Sequence, residues 1–125
     1  MFQELFPIIT SPDLDAAVRF YRDLLDCRVT YRFPDDDPEF VALRMGAASL
    51  GLAAATAERP AGTAGPRFTL WAYVDDCDAA LARLRAAGVP VLVEPADQEW
   101  GERMATVADP DGNQVIIAQR RLPSG

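Results

Sequence analysis

The chain has 125 residues, 50% of them apolar, with 19 acidic side chains against 12 basic ones, a formal charge of −7, no histidine and no lysine. Without histidine, Ser-His-Asp, Cys-His and imidazole-based metal chemistry are closed to it, and without lysine so are Schiff-base catalysis and a P-loop grip on a nucleotide phosphate. The acidic balance argues against a nucleic-acid partner, and the length suits one domain burying roughly two thirds of the surface its unfolded chain would expose.

The opening, MFQELFPIITSPD, has no basic n-region and no long apolar core, and no stretch reaches membrane-spanning length, so a cytoplasmic protein is expected. Residues 5–10 read as a first strand. A helix follows, with Ser11 as N-cap, Pro12 at its first position and Asp13 near the positive end of the dipole; Leu14, Ala17, Val18, Tyr21, Leu24 and Leu25 form its apolar stripe. Strands are expected over 28–33, 40–45 and 49–54. The Pro/Gly-rich segment 57–67 is a linker. A strand over 68–74 then leads to a second helix, capped by Asp75 or Asp76, facing inward through Leu81 and Leu84 and stopped by Gly88 with Pro90 beyond. Strands over 91–94, 103–107 and 114–119 complete the chain, the last two joined by an Asp109-Pro110-Asp111-Gly112-Asn113 turn. Cys27 and Cys77 lack CxxC spacing and are expected to be small reduced core or helix-end residues.

The two helices are copies. Asp13 to Arg22 and Asp76 to Arg85 lie 63 residues apart and share five of ten residues, and the strands surround each helix in the same order. The fold class expected is therefore α+β, a single domain of two tandem βαβββ modules at 1–56 and 68–120. Alternation along the strands puts Leu70, Ala72, Val74, Val115 and Ile117 toward the helix, and Thr69, Trp71, Tyr73, Gln114, Ile116 and Ala118 on the other face. That second face mixes aromatic, hydroxyl and amide groups, the composition of a ligand groove.

In Asp13-Leu14 with Phe20-Tyr21-Arg22-Asp23-Leu24-Leu25, Val74-Asp75-Asp76 with Leu84-Arg85-Ala86-Ala87-Gly88-Val89, and the closing Trp100-Gly101-Glu102-Arg103 and Asp109 to Asn113, the chain resembles the vicinal oxygen chelate superfamily. This superfamily includes glyoxalase I, extradiol dioxygenases and the fosfomycin and bleomycin resistance proteins. The chain departs from the pattern at Asp26-Cys27, where the family usually has glycine, which bears on how the first helix ends. In metal-dependent members the resemblance places four ligands at Phe6, Ala53, Thr69 and Ile116, three of them with no donor atom, so no metal and no other cofactor is expected.

The resemblance accordingly implies a metal-free small-molecule binder of the bleomycin resistance type. By analogy it is a homodimer with grooves at its interface, taking an aromatic or cationic ligand such as a bleomycin-like antibiotic. The alternative is a lyase, isomerase or dioxygenase-like enzyme with a non-standard active site. Pro7 fits either N-terminal strand exchange between protomers or a simple strand edge that needs no N–H.

The ligand-binding candidates are Trp71, Tyr73 and Trp100 as stacking surfaces, against core packing for the tryptophans; Phe33 and Phe40 as walls, against hairpin packing; and Asp35 and Asp36 as rim charge, against a solvated Asp35-Asp36-Asp37 loop. Thr69 and Gln114 are the hydrogen-bonding candidates. Arg103 serves either a ligand carboxylate or an ion pair with Glu102 or Glu99. Glu39, Glu94, Glu99 and Glu102 offer no pair placed for acid–base work, and no catalytic residue is assigned.

Overall fold

The apolar periodicities resolve into helices and strands in the computed structural model of the protein, which describes residues 1, 3, 6–56 and 69–120. Two units emerge, Met1–Ala64 and Gly65–Gly125. The first contains β1 (Ile8–Ser11), α1 (Leu14–Val18) running into a π-helix (Arg19–Leu24), β2 (Arg28–Phe33), β3 (Phe40–Met45) and β4 (Ala48–Ala54). The second contains β5 (Leu70–Val74), α2 (Cys77–Ala86), β6 (Val91–Asp97), β7 (Arg103–Ala108) and β8 (Gln114–Gln119). The sheet orders are β1-β4-β3-β2 and β5-β8-β7-β6. In each, the first strand pairs parallel to the last and the other pairs are antiparallel. This is the expected α+β architecture of tandem βαβββ modules. The linker at 57–67, Leu5 and Phe68 lie outside the described residues.

In the first unit, Ile9, Val41, Leu43 and Leu52 meet Ala17, Phe20 and Tyr21, all buried. In the second, Cys77, Leu81 and Leu84 of α2 cover Ala105, Val107, Val115 and Ile117. Each fully buried Leu or Ile adds about 1.5–3 kcal/mol relative to exposure, so these helix-facing surfaces hold each unit together.

The structure corrects several details. The first helix is capped by Asp13, not Ser11: the Asp13 carboxylate accepts from the Ala16 N–H, while the Ser11 hydroxyl oxygen accepts from the Asp13 N–H one step earlier. The second cap is Asp76, accepting from the Ala79 N–H. The first helix widens after Val18, with Leu25 N–H reaching back to the Phe20 carbonyl. The wider turn buries the adjacent Phe20 and Tyr21 together, their rings edge to face at 4.9 Å, where an α-helical stripe includes only Tyr21. β1 begins at Ile8, and β6 continues past Glu94 through Pro95 to Asp97 because two bulges and an edge position tolerate the missing N–H. Cys27 and Cys77 are free and buried. Among the described residues no helix is long and apolar enough to cross a membrane.

Candidate functional site

The second sheet presents one face to α2 and leaves the other open, and the strand register fixes what the open face carries. Trp71 lies opposite Ile116, which lies opposite Thr106; Tyr73 lies opposite Ala118, which lies opposite Met104. Trp71 and Tyr73 remain 43% and 40% exposed despite sitting in a strand, and their rings meet edge to face at 5.9 Å. Glu102 and Arg120 continue β7 and β8 one residue past the Arg103–Gln119 pair, so alternation brings both side chains out on the Tyr73 face.

Glu102 organises this end of the sheet. Its Oε1 accepts from the Trp100 indole N–H at 2.7 Å. The hydrogen bond to Glu102 raises the Tyr73 phenol above the ordinary tyrosine value, while Trp71 and Arg120 pull it the other way. Trp100 projects from the β6–β7 turn, which closes through Gln98 N–H to the Glu102 carbonyl and Gly101 N–H to the Gln98 carbonyl. Gly101 adopts φ 99 there, a conformation other residues resist. The Arg120 guanidinium stands over the Tyr73 ring at 4.0 Å from its centroid.

Trp71, Tyr73 and Trp100 are thus brought together, the last through Glu102. Thr69 and Gln114 are both exposed and precede the paired Leu70 and Val115, so they share the opposite end of β5 and β8. Glu102 and Arg120 went unassigned as ligand contacts in the sequence reading, although the alternation that selected Tyr73 reaches both.

The remaining candidates belong to the first unit. Phe33 lies opposite Phe40 and is 62% exposed. Phe33 and Asp35, together with Val29 to Arg32 and Pro34, line an open depression of about 500 Å³ along the edge strand β2. The Phe33–Pro34 peptide bond is cis, and Asp36 is exposed in the loop beyond. Phe40 lies over Gly51: a Cβ built there would stand 2.9 Å from its Cε2 and 3.0 Å from Ile8 Cγ1. The ring therefore occupies the space that a side chain at position 51 would need, while Ile8, Tyr31 and Phe33 on the same face stay exposed. Tyr31, 6.5 Å from Phe40 by centroids, belongs to the same face and was missed, although it precedes Phe33 by two residues.

Arg103 corrects the pairing expected for it. Its guanidinium forks onto Asp78 at 2.8 and 3.0 Å and reaches Asp97 at 3.1 Å, and these two carboxylates push its pKa up. The reason is alternation: Arg103 emerges on the α2 side of β7 and Glu102 on the other. Glu94 is held by Arg85. Asp109 forms the β7–β8 turn as expected, its carboxylate accepting from the Asp111 and Asn113 N–H groups and from the Asn113 amide.

The four places implied as metal ligands do not fit a metal. Phe6, Ala53 and Ile116 have no donor, Thr69 offers one neutral hydroxyl, and among the described residues no group of three or more His, Cys, Asp or Glu could hold an ion. The places are also not spatial equivalents throughout. Ala53 lies opposite Thr10, whereas Ile116 lies opposite Trp71; the residue holding the place of Ile116 in the first sheet is Gly51, opposite Ile8.

Tandem βαβββ units, each a four-stranded sheet with a helix on one face, define the class of fold. The chain belongs to the Glyoxalase/Bleomycin resistance protein/Dioxygenase superfamily, whose family model matches residues 5–117. An uncharacterized protein of Mycobacterium bovis is 29% identical over 124 residues, covering 92% of this chain and 82% of its own. Among solved structures, a glyoxalase-related enzyme from Fulvimarina pelagi superposes with a TM-score of 0.77 at 25% identity, over 95% of this chain and 89% of that one. A lactoylglutathione lyase from Agrobacterium tumefaciens gives 0.72 at 24%, over 98% and 97%, a likeness of fold.

Proposed function

We propose that the chain is a metal-free small-molecule binding protein whose 1–125 span acts as one domain and takes a planar aromatic ligand on the open face of the second sheet. The observation that carries this reading is the exposed Trp71–Tyr73 pair, tied to Trp100 through Glu102, on a sheet face that α2 does not cover. Exposed aromatic surface of this kind is costly to leave in water and strong in stacking. Thr69 and Gln114 supply hydrogen bonds at the far end of the strands. The expectation of a cationic ligand rested on Asp35 and Asp36, which are exposed next to Phe33, whereas the aromatic half of that expectation rests on the Trp71–Tyr73 pair and is the part retained. Sequestration of a planar aromatic antibiotic by a cytoplasmic homodimer, with Pro7 in an exchanged N-terminal strand, is the biological role we assign.

Tryptophan fluorescence titrated with bleomycin and with planar aromatic drugs tests this. Saturable quenching at micromolar ligand is expected, weakened about tenfold in Trp71→Ala because one stacked ring is worth about 1–3 kcal/mol. A flat titration in the wild type overturns the reading. Light scattering should give twice the 13.6 kDa chain mass. Elemental analysis should find no stoichiometric divalent metal; finding one would favour a lyase or dioxygenase-like activity instead.

A further inference from the structure

We infer that Arg120 makes the aromatic face selective for planar rings that carry an anionic group, an aromatic carboxylate being the simplest; this inference rests on the aromatic-face reading above. The guanidinium carbon stands 4.0 Å over Tyr73, the ring that Trp71 meets edge-on. Elsewhere in the second unit, Arg85 is held by Glu94 and Arg103 by Asp78 and Asp97. Among the described residues Arg120 meets only the Tyr73 π-face and no carboxylate. A guanidinium on an arene keeps its fork of N–H donors, which matches the two oxygens of a carboxylate.

Glu102 does not cancel this charge by direct pairing. Its carboxylate is engaged by a neutral donor, the Trp100 indole N–H, and no ion pair joins it to Arg120 among the described residues. A ligand whose ring lies against Trp71 and whose carboxylate reaches Arg120 gains a charge-assisted contact at a position already held in place by stacking. A cationic ring of the same shape meets a like charge there and must displace the guanidinium from Tyr73, so the same residue that attracts one class repels the other.

Isothermal titration of the full chain with naphthoate, naphthylmethanol and naphthylmethylammonium at low salt separates ring from charge. Wild type should bind naphthoate about tenfold more tightly than the alcohol, with the ammonium compound weakest. Arg120→Gln should bring naphthoate to within about twofold of the alcohol, and Arg120→Lys, which keeps the charge but loses the fork, should fall between. Arg120 is exposed at the end of β8, and an unfolding midpoint and circular dichroism spectrum matching wild type in both variants certify the fold. If naphthoate binds no tighter than the alcohol, or its advantage survives Arg120→Gln, the role of Arg120 is overturned while the aromatic face stands. If none of the three probes binds, the aromatic-face reading falls and this inference with it.

Discussion

Asp26 sits at φ 62, just after the π-helix, where a family glycine would be free of strain. The left-handed conformation costs an L-residue roughly 1–2 kcal/mol, less for Asp than for branched side chains. Asp26→Val should therefore lower unfolding free energy by about 1–2 kcal/mol in a denaturant titration, whereas Asp26→Gly should not. Loss on glycine substitution would show that the Asp26 side chain holds the turn by its contacts. Cys27 beside it is raised to about 11, first by burial and then by the Asp26 charge, and should stay unlabelled by thiol reagents at neutral pH until the chain unfolds. Tyr73 gives a pH signature. Its native phenol ionises above the unfolded value, so the native state holds the proton longer; the stability this contributes is complete below the ordinary tyrosine range and is lost as pH rises through the native value. Ultraviolet titration should show one late-ionising tyrosine in the wild type that moves to lower pH in Glu102→Gln. No such movement would remove Glu102 from the site. None of this was legible in the sequence, because the departure from glycine at Asp26 shows only that something differs, and the Glu102–Tyr73 contact joins residues from different strands.

Elements were more legible than their contents. The 63-residue repeat and the alternation fixed every strand to within a few positions because helix-facing and open faces differ in composition. The π-turn escaped because the expected stripe took Tyr21 with Ala17, Val18, Leu24 and Leu25 and left Phe20 off the buried face, and the apolar pattern alone does not mark a widened turn. The packing of Phe40 over Gly51 escaped for a similar reason: β3 and β4 each read as ordinary strands, and the missing side chain matters only across the pair. Gly51→Ala should destabilise by about 1–3 kcal/mol through overpacking, and combining it with Phe40→Leu should recover a good part of that loss. Additive losses in the double mutant would mean that the ring does not depend on the glycine.

At the scale of the molecule, composition excluded imidazole and lysine chemistry, and the repeat located the places a chelating relative would use. What the repeat could not show is that the copies drift apart in register. The offset is 63 residues between Ile8 and Trp71, 64 between Phe40 and Met104, and 65 between Gly51 and Ile116. One residue is gained before β7 and one more in the Asp109 turn. A count in sequence therefore places Ile116 against Ala53, while hydrogen bonding places it against Gly51. The two halves have consequently ceased to be interchangeable parts. A chain assembled from two copies of the second half would carry the Trp71–Tyr73 surface twice, and one assembled from two copies of the first would carry it nowhere. An ancestral duplication has here been divided into one half whose sheet packs a phenylalanine ring over a glycine and another whose sheet carries a paired tryptophan and tyrosine.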